Sequence, residues 1–550
     1  MSRPATQPDP LLEEKQPRSG RFAPAAGGDA LPLAIAAGAG ALLTAIALGT
    51  RSLWLDEGST FAIVSQHGAA LWHGISHDGG NQLLYYLMMH VVVGWFGDAT
   101  WVLRLPSVIA TAGTGALVAA TALRLFPGNR RLAIAAGLLA VISLPLVFWG
   151  QNARGYAWLV TLSVGSFLAL IAILQTPVQH APSRAATAAY VLTTLAALYV
   201  GYDAALLIPA QLALLAVFRQ RARLVIGSLA LVAVLCAPLL VFAAERGSGQ
   251  LFWVTPLSWR IAGQAALTLL SAALPPNFHR TATSAPTVVV VGLAVIAGLL
   301  AAGRAVVSAA RGGGRAGAQS RPLVVVLSWL LIPTALTLIA YAAGEPIELP
   351  RVAILELPAL ALLMAWLLLR PGVRPALGIA CVSLLLALRL AQVVPSYGVS
   401  SEPWNAATSY VLKRTPATGT ACVAFYPQDG REPFDYYLLR AAAGRGADPA
   451  ARLRPVLPAL GWRTVRPYVE DYGTLDAGQL ARISAQCPRL WLVASHQGQR
   501  GGTRQSLLNI TRYQRLEDAL RARYPHTTLR TLGWASAIHV RLLWRDPSGP

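Results

Sequence analysis

The chain has 550 residues, of which 55% are hydrophobic and only 13% are charged, so it is not an ordinary soluble multidomain protein. Its net charge of +21 comes largely from arginines scattered over short loops between apolar segments, a distribution typical of membrane topology. No basic helix or zinc-finger spacing accompanies this charge, so the predicted partner is the lipid bilayer and not nucleic acid.

The composition changes twice along the chain and predicts three parts. Residues 1–30 mix Pro, Gly, Ala and charges of both signs without periodicity, which predicts a disordered cytoplasmic tail. Residues 31–395 are dominated by apolar runs, and residues 31–50 are interpreted as a first span because no clear cleavage site follows them. Residues 396–550 contain only short apolar runs, which predicts a folded, water-facing domain.

The arginines set the orientation of the spans. With the N-terminus inside, the arginine-rich loops between spans all face the cytoplasm, as the positive-inside rule requires. An odd number of spans, about eleven, then places residues 396–550 outside. The predicted spans are residues 31–50, 105–126, 132–150, 157–175, 185–202, 204–218, 224–243, 287–303, 323–342, 352–369 and 375–394.

Two segments are interpreted differently. Residues 82–97 (QLLYYLMMHVVVGWFG) are apolar, but a span here would move every later arginine cluster outside. They are therefore predicted to form a juxtamembrane or re-entrant helix within the first outer loop, residues 51–104. The glycine-rich residues 312–320 (GGGRAGAQS) are predicted to be a flexible cytoplasmic linker.

The sequence WLDEG at residues 54–58 follows the first span directly. It holds two adjacent carboxylates, Asp56 and Glu57, at the membrane surface, where ionisable groups are costly and usually functional. The alternative is that both are solvated loop charges. The topology places further polar residues on the same outer side, namely Asp78, Arg104, Gln151, Arg154 and Arg351.

Short motifs then follow WLDE in a fixed order. They are LYYL at residues 84–87, RLP at 104–106, QNARGY at 151–156, LYVGY at 198–202 and PR at 350–351. This series resembles the bacterial lipid-linked-sugar transferases of glycosyltransferase family 39 and the RgtA/B/C/D-like group, which are relatives of protein O-mannosyltransferases and of the lipid A aminoarabinose transferase. The resemblance covers most of the chain.

The resemblance implies a polytopic α-helical membrane protein of the C superfamily of glycosyltransferases, the GT-C fold. Such an enzyme takes a sugar from a polyprenyl-phosphate donor, with inversion, and gives it to an extracytoplasmic cell-envelope glycan, lipid or protein. Asp56, with Glu57 beside it, is then the candidate general base. The candidates for binding the donor phosphate are Arg351, Arg154 and Arg104, in that order, because a guanidinium can donate two hydrogen bonds to a phosphate. Further candidate substrate-binding residues are Asp78, Tyr85, Gln151 and Tyr156.

Several points stay open from the sequence. Asp56 and Asp78 could ligate a divalent cation, although two carboxylates of unknown separation are weak evidence. The arginines could instead be interfacial anchors. A transporter or lipid flippase of cell-envelope precursors is the alternative function, although such proteins place charges at mid-membrane and often contain internal repeats. The Ala-, Arg- and Gly-rich composition favours a bacterial inner-membrane protein with mannose or arabinose as the sugar.

The C-terminal region predicts a small α/β domain that shapes the acceptor entrance or binds glycan. Residues 420–426 and 489–495 have the pattern of strands, while residues 404–412, 434–439 and 515–524 have helical spacing. Cys422 and Cys487 both fall in this domain, either as an oxidised pair or as two separate thiols.

Overall fold

The computed structural model describes residues 29–246, 254–273, 282–312, 314–345, 347, 349–400, 402–416, 420–443, 449–462, 475–498, 503–533 and 536–545. Residues 1–28 of the predicted tail lie outside this range.

The N-terminal two thirds of the chain form a bundle of apolar helices around a large buried core. Their bounds are α1 Ala30–Ala45, α2 Leu55–Val64, α3 Gly68–His77, α4 Leu83–Phe96, α5 Thr100–Leu125, α6 Arg130–Val141, α7 Leu144–Gly150, α8 Tyr156–Leu174, α9 Arg184–Val200, α10 Leu207–Ala213, α11 Ala222–Leu235, α12 Ala237–Arg246, α13 Trp259–Leu269, α14 Ser284–Gly312, α15 Gly314–Ala342, α16 Leu349–Val352, α17 Leu357–Leu369 and α18 Pro375–Ser396.

Within the described residues, six helices are long and apolar enough to cross a membrane, and the number rises to eight if each of two bent helix pairs is one span. The chain is therefore a multi-pass, mainly helical membrane protein. Shorter apolar helices, α1, α4 and α9, have 16, 14 and 17 residues. The full set of about eleven spans stays a prediction, because these helices fall short of the roughly 20 residues of a simple span.

The predicted spans 204–218 and 224–243 are broken into shorter helices, and the helices at residues 202–216 and 219–235 meet at a bend of 119°. Two further departures have a local cause in the sequence. Residues 132–150 were expected as one span, but α6 and α7 meet at a bend of 63°. Pro145 explains the break, because proline is tolerated in the first turn of a new helix and not within a continuous one. The prediction of a flexible linker is wrong for residues 314–320, which form the first turns of α15, since alanine, arginine and glutamine favour helix despite the glycines.

Small residues allow the helices near the site to pack closely. A side chain at Gly115 of α5 would place its Cβ 2.6 Å from the carbonyl oxygen of Ala36 in α1. Glycine at this position therefore permits backbone contact between the two helices, as is common in membrane bundles.

The C-terminal region folds into a five-stranded sheet with strand order β2-β1-β3-β5-β4. Strand β1 pairs in parallel with β2 and β3, while β5 is antiparallel to β3 and β4. The elements are α19 Trp404–Arg414, β1 Ala421–Tyr426, α20 Arg431–Ala443, β2 Leu453–Leu457, α21 Ala477–Gln486, β3 Arg489–Ala494, α22 Arg504–Arg521, β4 His526–Leu532 and β5 Ile538–Trp544.

Alternating side chains of the sheet bury two separate cores, so the domain has three layers. Val423 and Trp491 face α19 and α20 on one side. Ala424 and Leu492 face α21 and α22 on the other. A disulfide between Cys422 and Cys487, whose Cα atoms are 5.8 Å apart, joins β1 to the residue before the turn into β3 on this second side.

The sheet domain docks on the helical bundle through α20, which packs against α2. The ring of Phe61 meets Tyr436 edge-on, with 4.9 Å between ring centroids. A Cβ at Gly58 would lie within 3 Å of three atoms of Pro433, so the backbone of α2 packs directly on the proline ring of α20. The first turn of α2 therefore lies at the boundary between bundle and domain.

Candidate active site

The first turn of α2 separates the two predicted catalytic carboxylates. Successive residues of an α-helix point about 100° apart, so Asp56 and Glu57 meet different surroundings. Asp56 is the second residue of the helix, where the positive end of the helix dipole favours a negative charge.

Glu57 is fully enclosed, with 0% of its surface exposed. Its two carboxylate oxygens accept hydrogen bonds from Nε and Nη2 of Arg104 at 2.8 and 2.7 Å. One of them also accepts the backbone N–H of Ala153 at 2.8 Å. A carboxylate held in this way joins α2 to α5 and to the loop before α8, and it has no access to an acceptor.

Arg104 is equally engaged. Two of its five N–H groups go to Glu57, and the other three donate to backbone carbonyls at the end of the α1 exit segment. These carbonyls belong to Leu48, Arg51 and Ser52. No N–H remains for a phosphate, so the geometry contradicts the predicted roles of Arg104 as a donor ligand and of Glu57 as a catalytic group.

Asp56 points the other way and keeps 27% of its side chain exposed. Its Oδ2 atom lies 3.8 Å from Nε of Arg154 and 3.8 Å from Nη1 of Arg351. These separations are ion-pair distances but are too long for hydrogen bonds. Three of the predicted residues, from α2, the loop before α8 and α16, therefore meet at one point.

Arg154 is supported by a second acid. Its Nη1 donates to the hydroxyl oxygen of Tyr86 at 3.0 Å, and that hydroxyl donates to Asp78 at 2.8 Å. The buried Nε–H of Arg154 has no hydrogen-bond partner among the described residues. Asp78 thus acts on the site through Tyr86, a residue that sequence analysis did not single out.

This arrangement does not fit a divalent cation. The nearest charged groups to Asp56 are two guanidinium groups, which repel a cation, and Asp78 is turned toward Tyr86. In the part of the chain that the structure describes, no group of three or more His, Cys, Asp or Glu side chains could hold a metal ion.

Arg351 lies among aromatic rings. Its guanidinium carbon is 5.8, 5.9 and 5.6 Å from the ring centroids of Trp54, Trp149 and Tyr156. Its Nη1 also donates to the Tyr156 hydroxyl at 2.9 Å. Ring faces attract cations and orient the guanidinium. Tyr156, a predicted substrate-binding residue, lies in the site as a partner of Arg351, and its contact with substrate stays a prediction.

Two predicted substrate-binding residues lie elsewhere. Tyr85 is buried in the apolar cluster beneath α2. The amide of Gln151 donates to the carbonyl oxygen of Thr44 at 3.2 Å and so ties the end of α1 to the loop after α7. Both side chains are enclosed, so the geometry contradicts direct substrate contact by either.

The C-terminal domain adds two residues that sequence analysis missed. Glu402 accepts the backbone N–H of Leu55 at 2.8 Å, and Nε2 of His496 lies 3.3 Å from the other oxygen of Glu402. Burial alone would lower the pKa of His496, but the nearby negative charges of Glu402, Asp429 and Asp56 outweigh it and raise that pKa to about 9. No motif or periodicity in the sequence identifies these residues. They come close to α2 only when the sheet domain docks on the bundle, and a local sequence pattern does not record that contact.

The helical bundle, the docked α/β domain and the acid flanked by arginines at their boundary define a multi-pass membrane protein with the GT-C fold. Its structure is similar to that of ArnT from Cupriavidus metallidurans in the apo state, with 14% sequence identity over 94% of this chain and 98% of ArnT and a TM-score of 0.50. It is also similar to the Archaeoglobus fulgidus oligosaccharyltransferase tethered to an acceptor peptide, with 12% identity over 86% of this chain and 69% of that one and a TM-score of 0.51.

A further structure of the Archaeoglobus oligosaccharyltransferase AglB, in complex with an inhibitory peptide and a dolichol-phosphate, has 12% identity to this chain. The similarity covers 86% of this chain and 70% of the AglB chain, with a TM-score of 0.50. No protein-family model matches the sequence, and no curated protein sequence does either. The GT-C fold predicted from the motif series is confirmed.

Proposed function

We propose that this protein is a glycosyltransferase that moves a sugar from a polyprenyl-phosphate donor to a hydroxyl-bearing acceptor. The single observation that carries the proposal is the Asp56 carboxylate, which is partly exposed and lies 3.8 Å from both Arg154 and Arg351. The GT-C fold supports it, as does the dolichol-phosphate present in one structurally similar oligosaccharyltransferase.

The two arginines bind the phosphate of the donor. Departure of a lipid phosphate leaves negative charge on its oxygens, and fixed guanidinium groups stabilise that charge in the transition state. Arg154 has an Nε–H without a hydrogen-bond partner among the described residues, and Arg351 is oriented by aromatic rings. Both are therefore prepared to donate to an anion at little reorganisation cost.

Asp56 receives the proton of the acceptor. The acceptor oxygen bonds to the anomeric carbon, while the bond from that carbon to the phosphate oxygen breaks and its electron pair leaves with the lipid phosphate. The hydroxyl proton passes to Asp56 as the new bond forms, which makes a weak nucleophile effective. Attack opposite the departing phosphate inverts the anomeric centre.

The acceptor approaches from the sheet domain. Asp429 and His496 follow β1 and β3, whose carboxyl ends meet at one edge of the parallel part of the sheet. Ligands of open α/β sheets bind at this edge. A cell-envelope glycan, lipid or protein entering there reaches Asp56 from the side opposite the bundle. Mannose or arabinose is the proposed sugar, from the composition of the chain.

The proposed transfer takes place on the outer face of a bacterial inner membrane, with the site and the sheet domain on that face. Single cysteines introduced at Ser76 and Ser536 should then react with an impermeant maleimide in intact cells, and one introduced at Ala316 should react only after lysis. Labelling of the Ala316 site alone from outside would reverse the orientation.

A transfer assay tests the function directly. Purified protein in nanodiscs should release free lipid phosphate from radiolabelled polyprenyl-phosphate mannose or arabinose and pass the label to an envelope extract. A transporter or flippase would instead move a fluorescent polyprenyl-phosphate sugar across proteoliposomes without breaking its glycosidic bond. Lipid movement with an intact donor would refute the proposal.

A further inference from the structure

The chain segment that leads into Asp56 is held by the sheet domain. The backbone N–H of Ser52 donates to Oγ of Ser400 at 3.2 Å. The N–H of Leu53 donates to the hydroxyl of Tyr437 at 2.6 Å. These contacts join residues 348 and 384 positions apart, so the segment before α2 is held by the far end of the chain.

The first N–H of α2 is capped from the same domain. The opening N–H groups of a helix have no partner within the helix, and a side-chain oxygen just before the helix usually accepts one of them. The residue before α2 is Trp54, whose side chain has no such oxygen, and Glu402 accepts the N–H of Leu55 instead at 2.8 Å. A carboxylate at this end also interacts favourably with the helix dipole.

Glu402 is itself fixed in place. It is almost fully buried, and the oxygen that caps α2 also accepts Nε1–H of Trp404 at 3.0 Å. Its other oxygen faces Nε2 of His496 at 3.3 Å. His496 has a backbone φ of 45°, in the left-handed region that residues other than glycine rarely adopt. Such a conformation persists where the surroundings hold it and is frequent at functional sites.

We propose that Glu402 and His496 are positioning residues that complete the N-terminus of α2 across the domain boundary and thereby hold Asp56 toward Arg154 and Arg351. The effect on turnover rests on the proposed function, whereas the effect on α2 does not. The sheet domain is therefore a part of the active site, and its removal disorders the catalytic helix.

The charge of His496 makes this arrangement sensitive to pH. The groups that act on its ring are Glu402, Asp429 and Asp56, all acidic. Because its pKa is raised from 6.5 to about 9, the contribution of the protonated ring is complete below pH 6.5 and is lost as the pH rises through 9. Turnover should fall over that upper range.

Three substitutions separate the hydrogen bond that caps α2 from the charges of Glu402 and His496. Glu402→Ala removes the cap and the charge, Glu402→Gln keeps an oxygen for the N–H of Leu55 but removes the charge, and His496→Gln removes the cation. His526→Gln is the matched control, because His526 lies in β4 at the opposite end of the sheet, in register with Trp544. Each variant is studied as the full chain in nanodiscs.

Hydrogen exchange of the α2 amides is measured first, followed by turnover. Glu402→Ala should speed exchange in the first turn of α2 by roughly two- to thirtyfold, the range that loss of a helix cap produces. Turnover should fall by about tenfold or more with unchanged donor affinity, since Arg154 and Arg351 remain in place. Glu402→Gln should retain most of the protection of α2, and His526→Gln should match the wild type.

Turnover of His496→Gln should no longer show the fall near pH 9. Unchanged exchange in both Glu402 variants would overturn the cap, and faster exchange in Glu402→Ala with full turnover would overturn the positioning of Asp56. If Glu402→Ala does not fold, Glu402→Gln and His496→Gln still decide through the pH profile. A wild-type protein that transfers no sugar would refute the proposed function, while the exchange measurements would still judge the cap.

Discussion

Each face of the first turn of α2 carries a carboxylate near arginine, but the two carboxylates have different hydrogen-bonding surroundings. On the buried face, Glu57 and Arg104 satisfy each other through two short hydrogen bonds. On the open face, Asp56 lies at 3.8 Å from two arginines and reaches hydrogen-bonding distance with neither. A carboxylate whose oxygens all accept hydrogen bonds from the protein joins structural elements. One without such hydrogen bonds can still accept a proton or orient a ligand.

The degree of burial distinguishes the structural carboxylate Glu57 from the partly exposed Asp56. A buried ion pair is retained only when hydrogen bonds compensate the loss of water, as the carbonyls around Arg104 do. At Asp56 the two guanidinium groups lie beyond hydrogen-bonding distance and the side chain stays 27% exposed. The comparison predicts that substitutions on one face change stability and that substitutions on the other change turnover.

The largest expected effect belongs to the buried face. Glu57→Gln keeps the shape of the side chain but leaves the charge of Arg104 enclosed without an anion. Removing one partner of a buried pair costs about 3–5 kcal/mol, so the folded protein should be lost or should unfold at much lower temperature. Thermal unfolding in detergent, followed by tryptophan fluorescence, measures this.

A double substitution checks the cause. Glu57→Leu combined with Arg104→Met removes both charges together, which avoids the enclosed unpaired charge, although the carbonyls that Arg104 serves and the N–H of Ala153 lose their partners. The double variant should therefore unfold closer to the wild type than Glu57→Gln does. Equal destabilisation of the two would show that the lost hydrogen bonds and packing, and not the unpaired charge, set the cost.

The next effect belongs to Asp56. Asp56→Asn preserves shape but removes the base, so transfer should fall by at least about a hundredfold while the unfolding temperature and donor affinity are retained. Single-turnover kinetics with labelled donor measure the chemical step. A folded Asp56→Asn protein with full turnover would remove Asp56 from the mechanism.

The smallest effect is expected at Arg351. Arg351→Ala removes a charged donor to the lipid phosphate, and donor affinity should weaken by about tenfold to a hundredfold. Arg370→Ala is the matched control, because Arg370 follows the opposite end of α17 and packs over Trp366. Equilibrium binding of radiolabelled polyprenyl phosphate distinguishes the two. Equal loss in both variants would point to a general effect of surface charge.

Much of the fold was accessible from the sequence because its signals are local. Long apolar runs gave the long helices, and short apolar runs gave β1 and β3 within one residue of their observed bounds. The bend before α7 was not predicted, although Pro145 marks it. The start of α15 was assigned to a linker because its glycines outweighed a run of good helix formers.

The site was predictable in part. Adjacency to the first span singled out Asp56 and Glu57, but which of them faces substrate depends on how α5 and the loop before α8 pack, and no local pattern encodes that. Arg351 was selected because the predicted topology places it on the same side of the membrane as Asp56. Glu402 and His496 have no such marker, since their role arises only where two separately folded parts of the chain meet.

The cap on α2 also affects the order in which parts of the chain can fold during synthesis. Leu55 and Glu402 are 347 residues apart, so a ribosome adding roughly 5–20 residues per second needs on the order of 20–70 s to supply the second after the first. During that interval the bundle inserts with its reactive helix unfinished. Under the proposed function, the protein becomes competent for sugar transfer only after the residues that follow the helical bundle have been synthesised and have folded against α2.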